Sequence, residues 1–330
     1  MRKLLCATLA ALFVFTASLP ALAEEPARPR WVDFSIPARA MSKAFEYDIN
    51  SYLSERHIDW ITLLAVTGTR YGGNWKSYKP SEMDADAARL AAGETPEDIL
   101  PGYKSYDHFY GAYRAVLGGF LGEHLREVPD KDNPGQVKLE ERYGLKAYSP
   151  IAEGYGFSHS KDFGNSRSYG YRRKHFGNDL VGSVGTPIIA VEGGVIEELG
   201  WNRYGGWRVG IRSHDNLRYY YYAHLRKDHP WPKHLEKGMV VQGGDVIGYL
   251  GMTGYSTKEN VNGMRVPHLH FGLQLVLGES ERDATVQNWI DVYELVEFLQ
   301  RNRASVVKCP DSGERERKYR LFDYHYASGN

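Results

Sequence analysis

Several histidines in the second half of the chain lie at spacings that suit metal binding. His268 and His270 are two residues apart in a run of apolar residues that is typical of a β-strand. Because side chains alternate between the two faces of a strand, both imidazoles should lie on the same face. Such a pair either contributes to a metal site or consists of two ordinary polar residues. Other residues of the chain are needed to choose between these interpretations.

Two other stretches contain histidines in similar company. His175 and Asp179 are four residues apart, so that a turn could bring both side chains to one cation. Further along, strand alternation places Tyr220, Tyr222 and His224 on one face. Each pattern alone is common: a histidine at a strand end is more often structural than catalytic, and His-x-x-x-Asp occurs by chance. Their combination in one β-rich region favours metal chemistry.

Two imidazoles and one carboxylate form a ligand set that is typical of catalytic zinc, with the fourth coordination position open to water. Zinc lowers the pKa of that water to about 7 and makes hydroxide available near neutral pH. Four histidines and one aspartate are more than three-ligand coordination needs. The surplus imidazoles suit proton transfer and the stabilisation of a developing oxyanion. Another divalent ion could replace zinc at such a site.

The elements that position these residues change character along the chain. Residues 24–135 are predicted to be mostly helical, because apolar residues recur there at helical spacing. The turn-rich segment 128–135 is predicted to be a linker. Short β-rich runs separated by glycines follow from about residue 150, and helical spacing returns at 286–303. We therefore expect an α+β multidomain chain, in which a helical N-terminal region precedes an antiparallel β-sheet domain.

The motifs in the second half resemble those of a known family. HFGND, YYAHL and PHLHF occur in that order, within the scaffold segments GTPIIAVEGGVI and KGMVVQGGDVIGYLGMTGYST. Over about residues 150–280 the chain resembles the lysostaphin/LytM-like zinc endopeptidases, which cut peptide bonds in bacterial peptidoglycan. The resemblance implies a small antiparallel sheet crossed by a groove, with one Zn²⁺ per chain. It implies His175, Asp179 and His270 as metal ligands, and His224 and His268 as catalytic residues.

Three features depart from the family pattern or add to it. The segment 255–266 is longer than the short turn that the family often has, and Gly272 replaces a common glutamate. The segment 158–174 is basic and aromatic, and it could either clasp an acidic, sugar-linked peptide or be an ordinary solvated loop. Tyr204 could contribute a hydroxyl group to the groove, but we favour a packing role for it over a catalytic one.

The composition and the N-terminal segment indicate the location of the protein and the partners it can have. Lys plus Arg and Asp plus Glu number 41 each, which gives no argument for nucleic acid as a partner. Residues 1–23 have the parts of a secretory signal peptide, with cleavage expected after Ala23; an uncleaved membrane anchor is the alternative. After cleavage only Cys309 remains, so that no internal disulfide is expected. We expect a secreted, wall-associated monomer without a transmembrane segment.

The predicted organisation is therefore a signal peptide (1–23), a helical domain (24–135), a LytM-like peptidase domain (140–285) and a C-terminal helix with a tail (286–330). The predicted function is hydrolysis of peptide bonds in peptidoglycan stem peptides or cross-links by a zinc-activated water. One alternative is a catalytically silent scaffold that binds the wall or activates another wall hydrolase. Another is a general secreted protease that attacks glycine-rich proteins. The helical half is either a wall-binding module or a segment that blocks the groove.

Overall fold

The computed structural model describes residues 34–169, 171–276 and 288–324. The predicted signal peptide at 1–23 lies outside these residues. Across the described ranges, none of the helices has the length and apolar character that a bilayer span requires.

The first part of the chain is helical, as predicted. The helices are α1 Ala38–Ser51, α2 Trp60–Arg70, α3 Pro80–Ala92, α4 Pro96–Ile99 and α5 Tyr106–Leu117. The central α2 begins where the Asp59 side chain accepts a hydrogen bond from the Thr62 backbone N–H. Its Leu63 and Leu64 are fully buried, and it packs against α1, α3 and α5. The helices therefore form a layer around α2.

The segment predicted to be a linker is instead the turn of a β-hairpin. Strand β1 (Leu121–Pro129) pairs with β2 (Val137–Leu145) in antiparallel register, from Leu121 opposite Leu145 to Pro129 opposite Val137. The prediction was wrong because Pro, Asp, Asn and Gly favour tight turns inside a domain as strongly as they favour connections between domains. A short strand, β17 (Leu321–Asp323), adds to the other edge of β1.

The second part of the chain is built on one antiparallel sheet of eight strands. The strand order is β11-β8-β9-β10-β13-β6-β3, and β14 pairs with β13 outside that path. These strands are β3 Phe157–His159, β6 Asn178–Gly182, β8 Gly194–Asn202, β9 Gly206–Ser213, β10 Arg218–Ala223, β11 Val240–Val241, β13 His268–Leu275 and β14 Asn288–Ile290. Three two-stranded sheets flank it: β4 Ser166–Tyr169 with β5 Tyr171–Lys174, β7 Pro187–Ile189 with β12 Val246–Tyr249, and β15 Val306–Lys308 with β16 Arg315–Arg317.

The hydrophobic core runs without a break from the helices into this sheet. Leu64 of α2 and Val116 of α5 belong to the same buried cluster as Tyr220 of β10 and Phe271 of β13. The buried Arg218 side chain donates to the Ala115 backbone oxygen at the end of α5, 2.8 Å away. The helical layer is thus packed onto the core face of the sheet, and the opposite sheet face remains available for a site.

The C-terminal helix is shorter than its predicted span of 286–303. Residues Asn288–Ile290 form β14 instead, because they extend the sheet at β13. The helix α6 covers Tyr293–Leu299 and buries Leu295 and Leu299 in the common core.

Candidate active site

The pairing of β6 with β13 brings three potential metal ligands together. In the register of these strands, Asp179 lies directly opposite His270. The backbone between β5 and β6 returns His175 to the same point. His175 Nε2 lies 2.8 Å from His270 Nδ1 and 3.0 Å from Asp179 Oδ1, and His270 Nδ1 lies 3.1 Å from Asp179 Oδ1. Among the residues that the structure describes, these three are the group of side chains that could hold a metal ion.

The geometry of this cluster fits a tetrahedral zinc ion. Zinc binds imidazole nitrogen and carboxylate oxygen at 2.0–2.2 Å, which requires ligand atoms roughly 3.3 Å apart in a tetrahedron. The three separations of 2.8–3.1 Å are slightly shorter than that value. Small side-chain rotations are therefore sufficient to admit an ion.

Two further residues contact the predicted ligands, and neither is among the predicted site residues. His175 Nδ1 lies 3.1 Å from the Asp162 backbone oxygen and 3.3 Å from its carboxylate. A proton on Nδ1 leaves the Nε2 lone pair directed at the cluster, as in other metal sites. Arg167 Nη2 donates to Asp179 Oδ2 at 3.1 Å and to Asp162 Oδ2 at 3.0 Å. Both residues lie in the segment that we had singled out only for its basic and aromatic composition.

The pKa values of His175 and Asp179 are shifted by their close contacts. Burial favours the neutral form of both residues, but hydrogen bonds to the charged forms have the larger effect. Contacts with Asp162 and Asp179 raise the pKa of His175 to about 9. The imidazoles of His175 and His270 hold the pKa of Asp179 well below its usual range. Without a metal, His175 is therefore protonated and forms an ion pair with the Asp179 carboxylate. A metal ion that binds must displace the proton from His175 Nε2.

The predicted face of His224 is wrong, although the residue does reach the site. Tyr220 and Tyr222 are fully buried in the core below the sheet. Strict alternation would send His224 to that same side. However, β10 ends at Ala223, and His224 has a φ of 61°, in the left-handed region. This backbone turn places the imidazole in the groove on the opposite sheet face.

His224 and His268 form a pair of imidazoles beside the ligand cluster. Their ring centroids are 4.8 Å apart. His224 Nδ1 donates to the Thr253 backbone oxygen and His268 Nδ1 to the Val266 backbone oxygen, each at 2.8 Å. These bonds leave the Nε2 lone pair of each ring for the groove. Within the described part of the chain, His268 Nε2 has no hydrogen-bond partner, and it lies 3.7 Å from Asp179 Oδ1.

Burial determines the protonation state of His224. It lowers the pKa of His224 well below the usual value for histidine, and the neighbouring imidazoles of His268 and His270 lower it further. Burial likewise lowers the pKa of His270. At neutral pH His224 is therefore uncharged, which is the form that can accept a proton from water.

A groove of about 610 Å³ exposes these five residues. Arg173 of β5, Tyr204 and Tyr255 form one side of it, and Phe176 and Trp289 also line it. Gly272 has a steric role here, because a Cβ at this position would lie 2.7 Å from the Trp289 ring. Trp289 thus occupies the place where the family often has a glutamate side chain. Of the longer segment 255–266, Tyr255 and Met264 line the groove.

The described structure therefore combines an antiparallel sheet, a His-Asp-His cluster that could hold a metal ion, and two further imidazoles in the same open groove. Residues 173–283 match the model of Peptidase family M23. The resemblance that the motifs predicted is thereby confirmed.

Three curated relatives illustrate the range of this similarity. The L-Ala–D-Glu endopeptidase of Bacillus subtilis is 33% identical over 208 residues, which cover 60% of this chain and 61% of that protein. The glycyl-glycine endopeptidase ALE-1 of Staphylococcus capitis is 39% identical over 98 residues, covering 29% and 24%. The peptidoglycan DD-endopeptidase ShyC of Vibrio cholerae is 37% identical over 118 residues, covering 36% and 24%. The chain spans less than two thirds of the length of each.

Proposed function

We propose that this chain is a secreted zinc metallo-endopeptidase that hydrolyses peptide bonds in bacterial peptidoglycan. One observation supports it above all: potential ligand atoms of His175, Asp179 and His270 meet in an open groove that is also lined by His224 and His268. The names of the three relatives agree with it: they are an L-Ala–D-Glu endopeptidase, a glycyl-glycine endopeptidase and a peptidoglycan DD-endopeptidase.

The residues divide the chemistry between them. His175, Asp179 and His270 would hold the zinc ion, which when bound polarises a carbonyl and lowers the pKa of a water molecule. His224 and His268 are positioned to act on the proton of that water, because each presents a lone pair at Nε2. Once protonated, an imidazole can donate a hydrogen bond to the developing oxyanion or return the proton to the leaving amine. The bonds to Thr253 and Val266 hold both rings in the required tautomer.

The helical half does not cover the groove within the described residues. Every residue that lines the groove lies between Arg167 and Trp289, and residues 34–150 contribute none. Their contacts are with the opposite, core face of the sheet, through residues such as Val116 and Phe120. We therefore propose that this half supports the sheet or contacts the wall, and that it does not block the metal site.

The test is an assay of wall cleavage by the chain from Glu24 onward. The protein is incubated with purified peptidoglycan, with zinc or with a chelator, and new peptide ends are identified by mass spectrometry. We expect fragments only with zinc, and none from His270→Ala. The matched control is His234→Ala, since His234 is exposed and does not line the groove; this variant should cut as well as the wild type.

Two results would overturn the proposal. Binding to the wall without any cleavage by the zinc-loaded protein would favour the silent scaffold. Equal cleavage of an unrelated glycine-rich protein tested in parallel would favour a general secreted protease.

A further inference from the structure

We infer that Asn178 is a positioning residue of the metal site, because it holds the Asp162 carboxylate in the orientation that His175 requires. The inference rests on the proposed function, since it concerns the same metal site. Its test is the affinity of the protein for zinc, which can be measured without any cleavage.

Asn178 is a polar residue at a core position. It precedes the predicted ligand Asp179 on β6, so that its side chain lies on the opposite face of the strand, together with the buried Leu180. The Asn178 side chain is itself fully buried. Burial of an amide is unfavourable unless its polar atoms form hydrogen bonds. The partners of Asn178 therefore explain why an amide is present at this position.

Asn178 links Asp162 to the residue that precedes α6. The Val292 backbone N–H donates to Asn178 Oδ1 at 3.1 Å. Asn178 Nδ2 donates to Asp162 Oδ1 at 3.2 Å and to the Ser160 backbone oxygen at 3.3 Å. A backbone N–H can only donate, so the amide oxygen must face Val292 and the amide nitrogen must face Asp162. Asn178 therefore offers the Asp162 carboxylate a donor.

The two carboxylate oxygens of Asp162 have different partners. Oδ1 accepts the hydrogen bond from Asn178, whereas Oδ2 lies 3.0 Å from Arg167 Nη2 and 3.3 Å from His175 Nδ1. The bond at Oδ1 restrains rotation of the carboxylate. Asn178 thereby keeps Oδ2 beside the His175 ring.

The orientation of this carboxylate affects which nitrogen of His175 carries the proton. The Asp162 backbone oxygen and Oδ2, at 3.1 and 3.3 Å, favour a proton on Nδ1. Arg167 Nη2 lies 3.0 Å from the same nitrogen and, as a donor, favours the tautomer without that proton. A proton on Nδ1 leaves the Nε2 lone pair for a metal ion. A carboxylate that turned away from His175 would therefore weaken the ligand.

The other end of the link is anchored in the hydrophobic core. Val292 is fully buried, and it belongs to the same buried cluster as Leu295 of α6. Glu294 Oε2 of α6 accepts a hydrogen bond from the Ala38 backbone N–H at the start of α1, at 2.9 Å. The start of α6 is therefore held against the helical half, and Asn178 connects this fixed point to the metal site.

The first variant removes the link, and a matched control removes a similar amide elsewhere. Asn178→Leu replaces the amide with an apolar side chain of similar size and loses all three hydrogen bonds. The control is Asn302→Leu. Asn302 Nδ2 donates to the Ala147 and Leu145 backbone oxygens at 2.8 and 3.4 Å, is partly buried and does not line the groove.

The second variant exchanges the two linked side chains. In Asp162→Asn alone, the new amide faces two donors, Asn178 Nδ2 and the N–H of His175 Nδ1, and it can accept from both only by turning its own N–H group away from both. Combining Asp162→Asn with Asn178→Asp gives its N–H group a carboxylate acceptor and leaves its oxygen for His175. The combined variant also keeps the net charge of the wild type.

Three measurements separate positioning from stability. Zinc affinity is measured by competition with a chromogenic chelator, and the visible spectrum of the Co²⁺-loaded protein reports the ligand geometry. Urea unfolding in excess chelator measures stability without metal. We expect Asn178→Leu to bind zinc about tenfold to a hundredfold more weakly than the wild type, with a changed Co²⁺ spectrum. Asn302→Leu should lose stability but keep the zinc affinity and the spectrum of the wild type.

The exchange supplies a second criterion. Asp162→Asn alone should bind zinc about tenfold more weakly than the wild type. Addition of Asn178→Asp to that variant should raise the affinity again, because residues that contact each other have coupled effects.

The two proposals fail in different ways. A zinc affinity of Asn178→Leu equal to that of the wild type, or an equal loss in Asn302→Leu, overturns the role of Asn178. If Asn178→Leu does not fold, the exchange decides: a combined variant that binds zinc no better than Asp162→Asn overturns that role. Zinc affinity that depends on Asn178, in a protein that cuts no peptidoglycan, supports the role and overturns the hydrolase proposal. A wild type that binds no zinc overturns both.

Discussion

Gly177 offers a sharp test of the ligand set, because it lies between His175 and Asp179 in the chain and against the His270 ring in space. A Cβ at this position would meet His270 Cε1 and Nε2 at 2.8 Å and the Phe271 backbone oxygen at 2.6 Å. Ordinary contacts begin at 3.4 Å, so that Gly177→Ala must push the His270 ring away by about 0.6 Å. The Phe271 backbone oxygen is closer still, so that the new methyl group must also displace the backbone of β13.

This displacement is large on the scale of a metal site. Functional side chains must stay within about 0.5 Å of their productive positions, and metal–ligand distances tolerate about 0.2 Å. Loss of a residue that orients a ligand typically lowers metal affinity by about 10-fold to 100-fold, which is about 1.4–2.7 kcal/mol of binding free energy. We expect Gly177→Ala to bind zinc more weakly by a factor in that range. The zinc concentration needed for half-maximal activity should rise by the same factor.

The assay is a competition titration between the protein and a chromogenic zinc chelator. Gly200→Ala is the matched control: Gly200 lies on β8 of the same sheet, and a Cβ there would meet nothing within 4 Å. It should keep the affinity of the wild type. Urea unfolding in excess chelator shows whether Gly177→Ala also loses stability, for which overpacking predicts about 1–3 kcal/mol. Zinc affinity within twofold of the wild type in Gly177→Ala would refute the assignment of His270 as a ligand.

Two further predictions concern residues that the sequence analysis did not single out. Asp162→Asn removes the carboxylate beside His175 Nδ1, and it should lower zinc affinity by about tenfold in the same titration; unchanged affinity would contradict its orienting role. His124, buried on β1, has its pKa lowered mainly by burial. The unfolded chain therefore binds more protons below pH 6.5, and stability should fall as the pH drops there. The free energy of unfolding, measured with urea at several pH values, should depend less steeply on pH in His124→Gln than in the wild type, by up to about 1.4 kcal/mol per pH unit. An equal dependence on pH in the two proteins would exclude His124 as the cause.

The predicted ligands lie together because their geometry depends on short segments of chain. Alternation along β13 places His268 and His270 on one face, and the family motifs contain the remaining residues. The structure confirms this face, since Leu269 and Phe271 are fully buried on the other side. Local pattern and resemblance were sufficient here, although the roles of the individual residues stay predictions.

The errors arise where the backbone leaves a regular pattern. His224 reaches the groove only through a left-handed residue at the end of β10, and alternation cannot predict where a strand stops. The 128–135 segment has the same composition in a hairpin turn as in a linker. Asp162 and Arg167 join the site because backbone hydrogen bonds of His175 with Gly164 and Asn165 bring this segment beside His175. None of these contacts follows from the periodicity of a helix or a strand, so the sequence pattern could not predict them.

Strand register brings two of the three predicted ligands together, and the connection between β5 and β6 brings the third. Asp179 and His270 face each other across β6 and β13, and Ala223, which precedes His224, faces His270 from β10. A slip of one residue between β6 and β13 would move Asp179 away from His270 and send its side chain to the core face. The apolar side chains on that face oppose such a slip, because it would turn the buried Leu180 of β6 out of the core. The helical layer covers the same face, and we expect it to stabilise the arrangement of the predicted ligands without lining the groove.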